Sequence, residues 1–428
     1  MSLIVKAGKM GKRVLKKFLP EEKHHVSYTR RIERVHTKER VVAMTFDDGP
    51  MDLPSSPDKF GGRALTDLLL DTLQEYHALG TFDVVGDTSE NYPDMAGKSG
   101  QADWGGVRYD HYPDINQDGR GGVVHNDRLV RRILHEGHQI TNHGYRHVLF
   151  GKKPFVYGKR DHFHGLDPVV ADLTRLHTLL QETYGYTMTM GRPPHYVDKI
   201  EGGFTSYDAY DQMGYLYLAA AFDGAGWLPI HHNTVVQESL QAEIAAMVEP
   251  MKRALEADPD ALAGQIIFQK DGYNMSRRTP VAFGLKQQLE LLQSYGYRVV
   301  TVEQLMADYS PFADVGREEP GFEKLVALQK TRGIVFSDNR LRLDDPMTWG
   351  ELAMLLAPRA EAIGRRVAKI RETGTPQHAN WGAMTGAPRQ GILKYAMDPD
   401  GTVSSLPSEF FGPAKDYTRR QVYAAYRG

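Results

Sequence analysis

Apolar and polar positions follow two rhythms along this chain. Short β-branched or aromatic runs recur at Arg40 to Phe46, Gly80 to Gly86, Gln139 to His143, Tyr186 to Met190, Leu216 to Phe222, Gln265 to Gln269 and Arg298 to Val302. Between most of them the apolar spacing widens to that of a helix. Leu65, Leu68, Leu69 and Leu73 fall within Ala64 to Leu79, a capping Asn opens Asn126 to Glu136, and Val and Leu repeat from Asp167 to Tyr184. Strand alternating with helix predicts parallel strands, and the seven runs predict an α/β fold, a distorted (β/α) barrel of about seven parallel strands. From about residue 311 the pattern changes and predicts a small all-α C-terminal region.

The polar candidates fall where such a barrel places its chemistry, at the C-terminal ends of the strands. Thr45-Phe46-Asp47-Asp48-Gly49-Pro50 closes the first run and His143 ends the third, with His147 four residues on. Arg192 follows the fourth run, Asp223 the fifth and Lys270 the sixth. One carboxylate and two imidazoles can hold a divalent metal with one position open for water, the ligand logic of a catalytic zinc site. The other aspartate is then free to act as a base. The same residues also suit a plain turn followed by histidines that decorate a helix.

Taken together these motifs resemble the polysaccharide deacetylases of the NodB-homology type, carbohydrate esterase family 4. The resemblance rests on Thr45 to Pro50, Thr81-Phe82-Asp83-Val84-Val85-Gly86, Glu136 to His143, Arg192-Pro193-Pro194 and Gly296 to Thr301, and covers roughly residues 38 to 305. It implies a metal-dependent deacetylase that hydrolyses the N-acetyl group of amino sugars in a cell-wall or capsular polysaccharide. Asp48, His143 and His147 are then the metal ligands, the histidines sharing one helical face at i and i+4. Zinc is the first choice of metal, with cobalt, nickel or manganese as alternatives. Asp47 is implied as general base, Arg192 as the cation that keeps it ionised and aimed, and the backbone N–H of His195 as an oxyanion donor.

Two motifs depart from the family pattern. Asp223-Gly224-Ala225-Gly226-Trp227 keeps the first aspartate of the usual Asp-x-x-Asp-Trp and lacks the second. Lys270 stands where the family has a histidine as general acid, and an unperturbed lysine titrates near about 10.4. Lys270 or His195 is therefore expected to supply the proton to the departing amine. The competing expectation is a catalytically weak or inactive metal-binding barrel acting as a carbohydrate-binding envelope protein.

An insertion from about Asn91 to Val124 carries Trp104, Tyr109 and Tyr112. Its rings are expected near the rim, stacking on sugars or packing on one another. Within it Asp114 to Gly119 opens like a calcium loop, but the twelfth position is His125 instead of glutamate, so an Asx turn competes. Residues 311–428 resemble two S-layer homology modules. The first runs from Phe312-Ala313-Asp314-Val315 through Trp349 to Leu352, and the second through Trp381, Gly391 to Met397, Phe411 to Pro413 and Tyr417-Thr418-Arg419 to Val422. Such modules imply attachment to a secondary cell-wall polymer through the arginine that Arg419 retains; a structural appendage is the alternative.

With 428 residues and a net charge of -2, the chain presents no electrostatic case for nucleic acid. It contains no cysteine, which excludes disulfides and thiolate metal sites and leaves the Asp and His set. No apolar stretch approaches the ~20 residues that cross a membrane. Residues 1–37 read as a basic extension, with Lys6, Lys9, Lys12, Arg13, Lys16 and Lys17 in Met1 to Leu19. Its apolar runs are too short for a signal-peptide core, so no export signal is visible although a bacterial envelope or extracellular location is expected. The expected domains are therefore 1–37, a barrel over 38–310, and two helical repeats over 311–428.

Overall fold

The computed structural model describes residues 31–52, 63–90, 119–152, 161–228, 230–231, 238–271, 279–332, 334, 339–347 and 418–426. Outside them lie the basic stretch Met1 to Leu19, the insertion with Trp104, Tyr109, Tyr112 and Asp114 to Asp118, and the module positions Trp349, Trp381, Gly391 to Met397 and Phe411 to Pro413.

Strands and helices alternate through most of the chain. In order they are β1 (Arg31–Ile32), β2 (Val41–Asp47), α1 (Leu65–Glu75), β3 (Gly80–Val84), α2 (Asp127–His135), β4 (Gln139–Asn142), α3 (Leu166–Tyr184) and β5 (Met190–Gly191). There follow α4 (Ser206–Met213), β6 (Leu216–Leu218), β7 (Phe222–Asp223), α5 (Leu240–Ala257), β8 (Ile266–Lys270), α6 (Pro280–Ser294), β9 (Arg298–Val300) and α7 (Val302–Asp308). The strands form one parallel sheet in the order β1-β6-β5-β4-β3-β2-β8-β7, with β9 also on β2. Every residue of β2 is buried, as expected of a central parallel strand covered on both faces, and its run VVAMTF is correspondingly almost all apolar. Phe46 of β2 stacks on Phe82 of β3, ring centroids 5.1 Å apart, at the middle of a core that also takes in Leu73, Ile140, Leu176 and Tyr217.

The sheet curls towards closure. β1 pairs with β6, and the residues after it reach the foot of β8, where Val35 N donates to Gly264 O at 2.8 Å and Ile266 N to Glu33 O at 3.1 Å. β1 falls within the stretch read as an N-terminal extension, so the sheet begins before residue 38. This seam also explains why the single run Leu216 to Phe222 makes two strands. Ala219 N bonds to Ile32 O, whereas Ala221 N bonds to Ile266 O, so the partner changes between them.

Asn126 does not cap α2 through its side chain. Its Nδ2 instead donates to the carbonyls of Gly122, Arg120 and Pro50 at 2.9, 3.0 and 3.3 Å, fastening the loop that follows β2.

Residue contacts divide the chain into a barrel unit, Arg30–Val326 with Asp338–Arg340, and a second unit that includes Leu341–Gly428. Described in the second unit is a helix, Arg419–Ala425, opened by a capping box in which Thr418 Oγ1 accepts from Gln421 N. Arg419 is 5% exposed and donates to Arg342 O at 3.2 Å. Among the described residues no helix is long and apolar enough to cross a membrane.

Candidate active site

Register builds the site. Thr45-Phe46-Asp47 lies beside Thr81-Phe82-Asp83 residue for residue, and Asp47 is level with Lys270 on its other side. Three ionisable side chains thus occupy one level at the C-terminal ends of adjacent strands. Asp48 follows with φ 78, in the left-handed region that costs an ordinary residue about 1–3 kcal/mol and recurs at functional sites.

Asp48 Oδ1 lies 3.1 Å from His143 Nε2 and 3.1 Å from His147 Nε2, and all three side chains are buried. The histidines do not share a helix, contrary to the spacing argument. β4 ends at Asn142, and a bend with Gly144 at φ 84 and His147 at φ 54 brings the rings together. Backbone donors fix that bend: Gly86 N and Asp87 N both bond to Tyr145 O at 2.9 Å. On its far side His143 Nδ1 sits 2.7 Å from Asp83 Oδ2 and 2.8 Å from Arg192 O. Those partners orient the ring and turn Nε2 towards Asp48, as outer partners do for metal-bound histidines. One carboxylate oxygen and two imidazole nitrogens at these separations fit a divalent ion with bonds of about 2.0–2.2 Å.

Arg192 is fully buried and gathers the second half of the site. Its Nη1 bonds to Asp47 Oδ1 and to Thr45 Oγ1 at 3.0 Å, while Nε and Nη2 hold Leu218 O and Ala219 O at 3.1 and 3.3 Å. Burial pushes the Asp47 carboxyl up to about 6, against the pull of the Arg192 and His143 charges. Burial would raise Asp48 too, but the Lys270 ammonium and the two imidazoles hold it well below the usual carboxylate range. Deeper still, burial pushes the Asp271 carboxyl up to about 8. Its Oδ1 accepts from Thr66 Oγ1 at 2.6 Å, and its Oδ2 fills the place where a Cβ on Gly49 would lie, 1.6 Å away.

A cleft of about 490 Å³ opens onto this centre, with Asp47, His143, His195, Asp223 and Lys270 in its wall. Three aromatic side chains line one side: Phe268 lies 6.2 Å from Tyr196 and 6.5 Å from Trp227, centroid to centroid. His195, at φ 55, places its ring 5.2 Å from that of His147. Asp223 does not reach the carboxylate pair; its oxygens accept from Trp227 Nε1 at 3.1 and 3.2 Å.

Residues 34–197 match the family model for polysaccharide deacetylases. That stretch of the barrel is similar to this family, whose members are hydrolases acting on amide C–N bonds. Two curated relatives are a peptidoglycan-N-acetylmuramic acid deacetylase, PdaC, of Bacillus subtilis (22% identical; 66% of this chain and 42% of that protein) and a peptidoglycan-N-acetylglucosamine deacetylase, PgdA, of Listeria monocytogenes (23% identical; 71% and 46%). The chain thus spans less than half the length of these relatives. The solved structure of the peptidoglycan deacetylase PdaC from Bacillus subtilis aligns over 64% of this chain and 93% of its own, at 20% identity and a TM-score of 0.38.

The matched segment contains Asp47, Asp48, His143, His147, Arg192 and His195, whereas Asp223 and Lys270 lie beyond it. At the two positions that depart from the expected motifs the local surroundings are well defined. Gly226 sits at φ 80, and a Cβ there would meet Met247 Sδ at 2.6 Å, so the backbone at this position packs directly on a methionine of α5. Lys270 Nζ pairs with Asp48 Oδ2, on the side of that carboxylate away from the histidines' oxygen. Asp83 and Asp271 were missed as site residues. The repeated tripeptide Thr-Phe-Asp at 45–47 and 81–83 was the available signal for Asp83; Asp271 follows directly on Lys270.

Proposed function

We propose that the barrel is a metal-dependent deacetylase that hydrolyses the N-acetyl group of amino sugars in a cell-wall polysaccharide, with zinc as its metal. The observation that carries this is the convergence of His143 and His147 on one oxygen of Asp48, beside an Asp47 that Arg192 grips from within the barrel. The names of the two curated relatives, both peptidoglycan deacetylases, support the substrate class.

A divalent ion held by Asp48, His143 and His147 would supply Lewis acidity towards the acetamide carbonyl and towards water. Asp47 is the general base, ionised and aimed by Arg192, and takes a proton from the attacking water. The backbone N–H of His195 is the oxyanion donor. Lys270 is a positioning residue: by holding Oδ2 of Asp48 it commits Oδ1 to the ligand set. That leaves the His195 ring, which lines the cleft, to protonate the departing amine. Tyr196, Phe268 and Trp227 give sugar rings an apolar wall. Asp223 orients Trp227 through its indole N–H.

The test is acetate release from N-acetylglucosamine oligomers and from peptidoglycan by metal-stripped protein reloaded with zinc or cobalt. Asp47→Asn is expected to lower turnover at least about 10²-fold while zinc stays bound, the scale of a lost general base. Lys270→Met is expected to weaken zinc retention about tenfold or more, with Lys270→Arg recovering most of it. Gly226, packed on Met247 at the position where the resemblance implies a carboxylate, favours a second function, carbohydrate binding without turnover. Bound zinc with no acetate release from any of these polymers would establish that alternative.

A barrel that starts at β1 instead of at residue 38, followed by a separate region over 311–428, belongs to the same proposal, as does a bacterial envelope or extracellular location. The C-terminal repeats are proposed to attach the protein to a secondary wall polymer. The burial of Arg419, whose guanidinium donates to Arg342 O, supports a packing role for that residue.

A further inference from the structure

Away from the cleft, on the same barrel unit, two imidazoles and a carboxylate meet a second time. Glu201 Oε1 lies 3.0 Å from His162 Nε2, and Oε2 lies 3.1 Å from His164 Nδ1. The imidazole centroids are 4.8 Å apart. Extended alternation explains the pairing of the histidines. Phe163 between them is 5% exposed and turns inward, so residues 162 and 164 share the opposite face. Phe163 N donates to Leu149 O at 3.0 Å, which docks this segment on the loop that begins at His147. Glu201 stands on the loop that carries His195, six residues further along.

Donor separations of 3.0 and 3.1 Å are within a few tenths of an ångström of those of neighbouring ligands around one ion, since tetrahedral bonds of about 2.0–2.2 Å set such edges at about 3.3–3.6 Å. His164 and Glu201 are exposed, so water can complete the coordination. An exposed pair of His–Glu contacts would by itself contribute little. We propose that His162, His164 and Glu201 form a second transition-metal site, for zinc or another borderline divalent ion, that fastens the segment docked on the His147 loop to the loop bearing His195. Imidazole donors select such ions over calcium and magnesium.

Titration of the metal-stripped full chain with zinc chloride, followed by zinc counting after desalting, tests this against His164→Ala/Glu201→Gln. Both substitutions are on the surface and spare the cleft. The variant is expected to hold one zinc fewer per chain than the unaltered protein and to lose part of the zinc-dependent rise in Tm. Because the readout is a difference at these residues, it holds whether or not the barrel centre fills or turns over substrate. Equal zinc content in the two proteins, or displacement of that zinc by excess calcium, would overturn the site.

Discussion

His138 is kept neutral by its surroundings, and that makes it a pH-sensitive element of stability. It is 5% exposed, accepts from Gly80 N at 3.0 Å through Nδ1, and meets Phe82 edge-on at 5.5 Å. Burial lowers it from 6.5 to about 4. A depressed folded value means that the unfolded chain binds the proton first as pH falls. The contribution is therefore complete above about pH 6.5 and is lost as pH falls towards about 4. At about 1.4 kcal/mol per unit, the loss between pH 7.5 and pH 4.5 is about 2–3 kcal/mol. Denaturant melts of the unaltered protein and of His138→Gln at both pH values are expected to show a smaller fall for the variant; equal falls would remove His138 as the cause. Residues of this kind separate what the sequence discloses from what it hides. Asp47, Asp48, His143 and His147 were legible because reactive side chains stand out at the ends of apolar runs. Asp83 was signalled only by the repeated Thr-Phe-Asp, and it is the pairing of β3 with β4 that sets it against His143. Lys270 was legible as an anomaly, but its pairing with Asp48 depends on which neighbour β2 takes on its other side.

At the scale of the element, helix periodicity located α1, α2 and α3, because their buried stripes recur at the helical repeat. The same rule misjudged His143 and His147: four residues apart, they meet on a bend that Gly144 and backbone bonds from Gly86 and Asp87 create. Spacing alone cannot distinguish a helical turn from a bend that brings the same two rings together. Pro250 in α5 is a second local conflict, a proline inside an 18-residue helix. It has no N–H for the carbonyl of Ala246, and its ring crowds that carbonyl. Pro250 is exposed, so no packing compensates. Pro250→Ala is expected to stabilise the barrel by about 1–3 kcal/mol, read as a higher denaturant midpoint with an unchanged slope. An unchanged midpoint would mean that the helix has already relaxed around the proline.

The molecule as a whole depends on the seam where the sheet curls back on itself. Alternating elements disclosed a parallel barrel, but not that Arg31–Ile32 would lie between β6 and the foot of β8, because two residues carry no periodic signal. Ile32 is fully buried in a cluster with Met190, Leu218 and Ile266. Its carbonyl accepts from Ala219 N at 2.8 Å, and Ala219 O in turn accepts from Arg192 Nη2 at 3.3 Å. The seam therefore supports the guanidinium that grips Asp47. Ile32→Ala removes a buried side chain where three strands meet, and the loss is expected to be about 2–5 kcal/mol. Val124→Ala, at a position 45% exposed, supplies the control and is expected to stay within about 0.5 kcal/mol. If residues 31 and 32 were a trailing extension, the two substitutions would cost alike. A several-fold larger cost at Ile32, measured by equilibrium denaturation, makes β1 a strand of the barrel and places the start of the domain ahead of it.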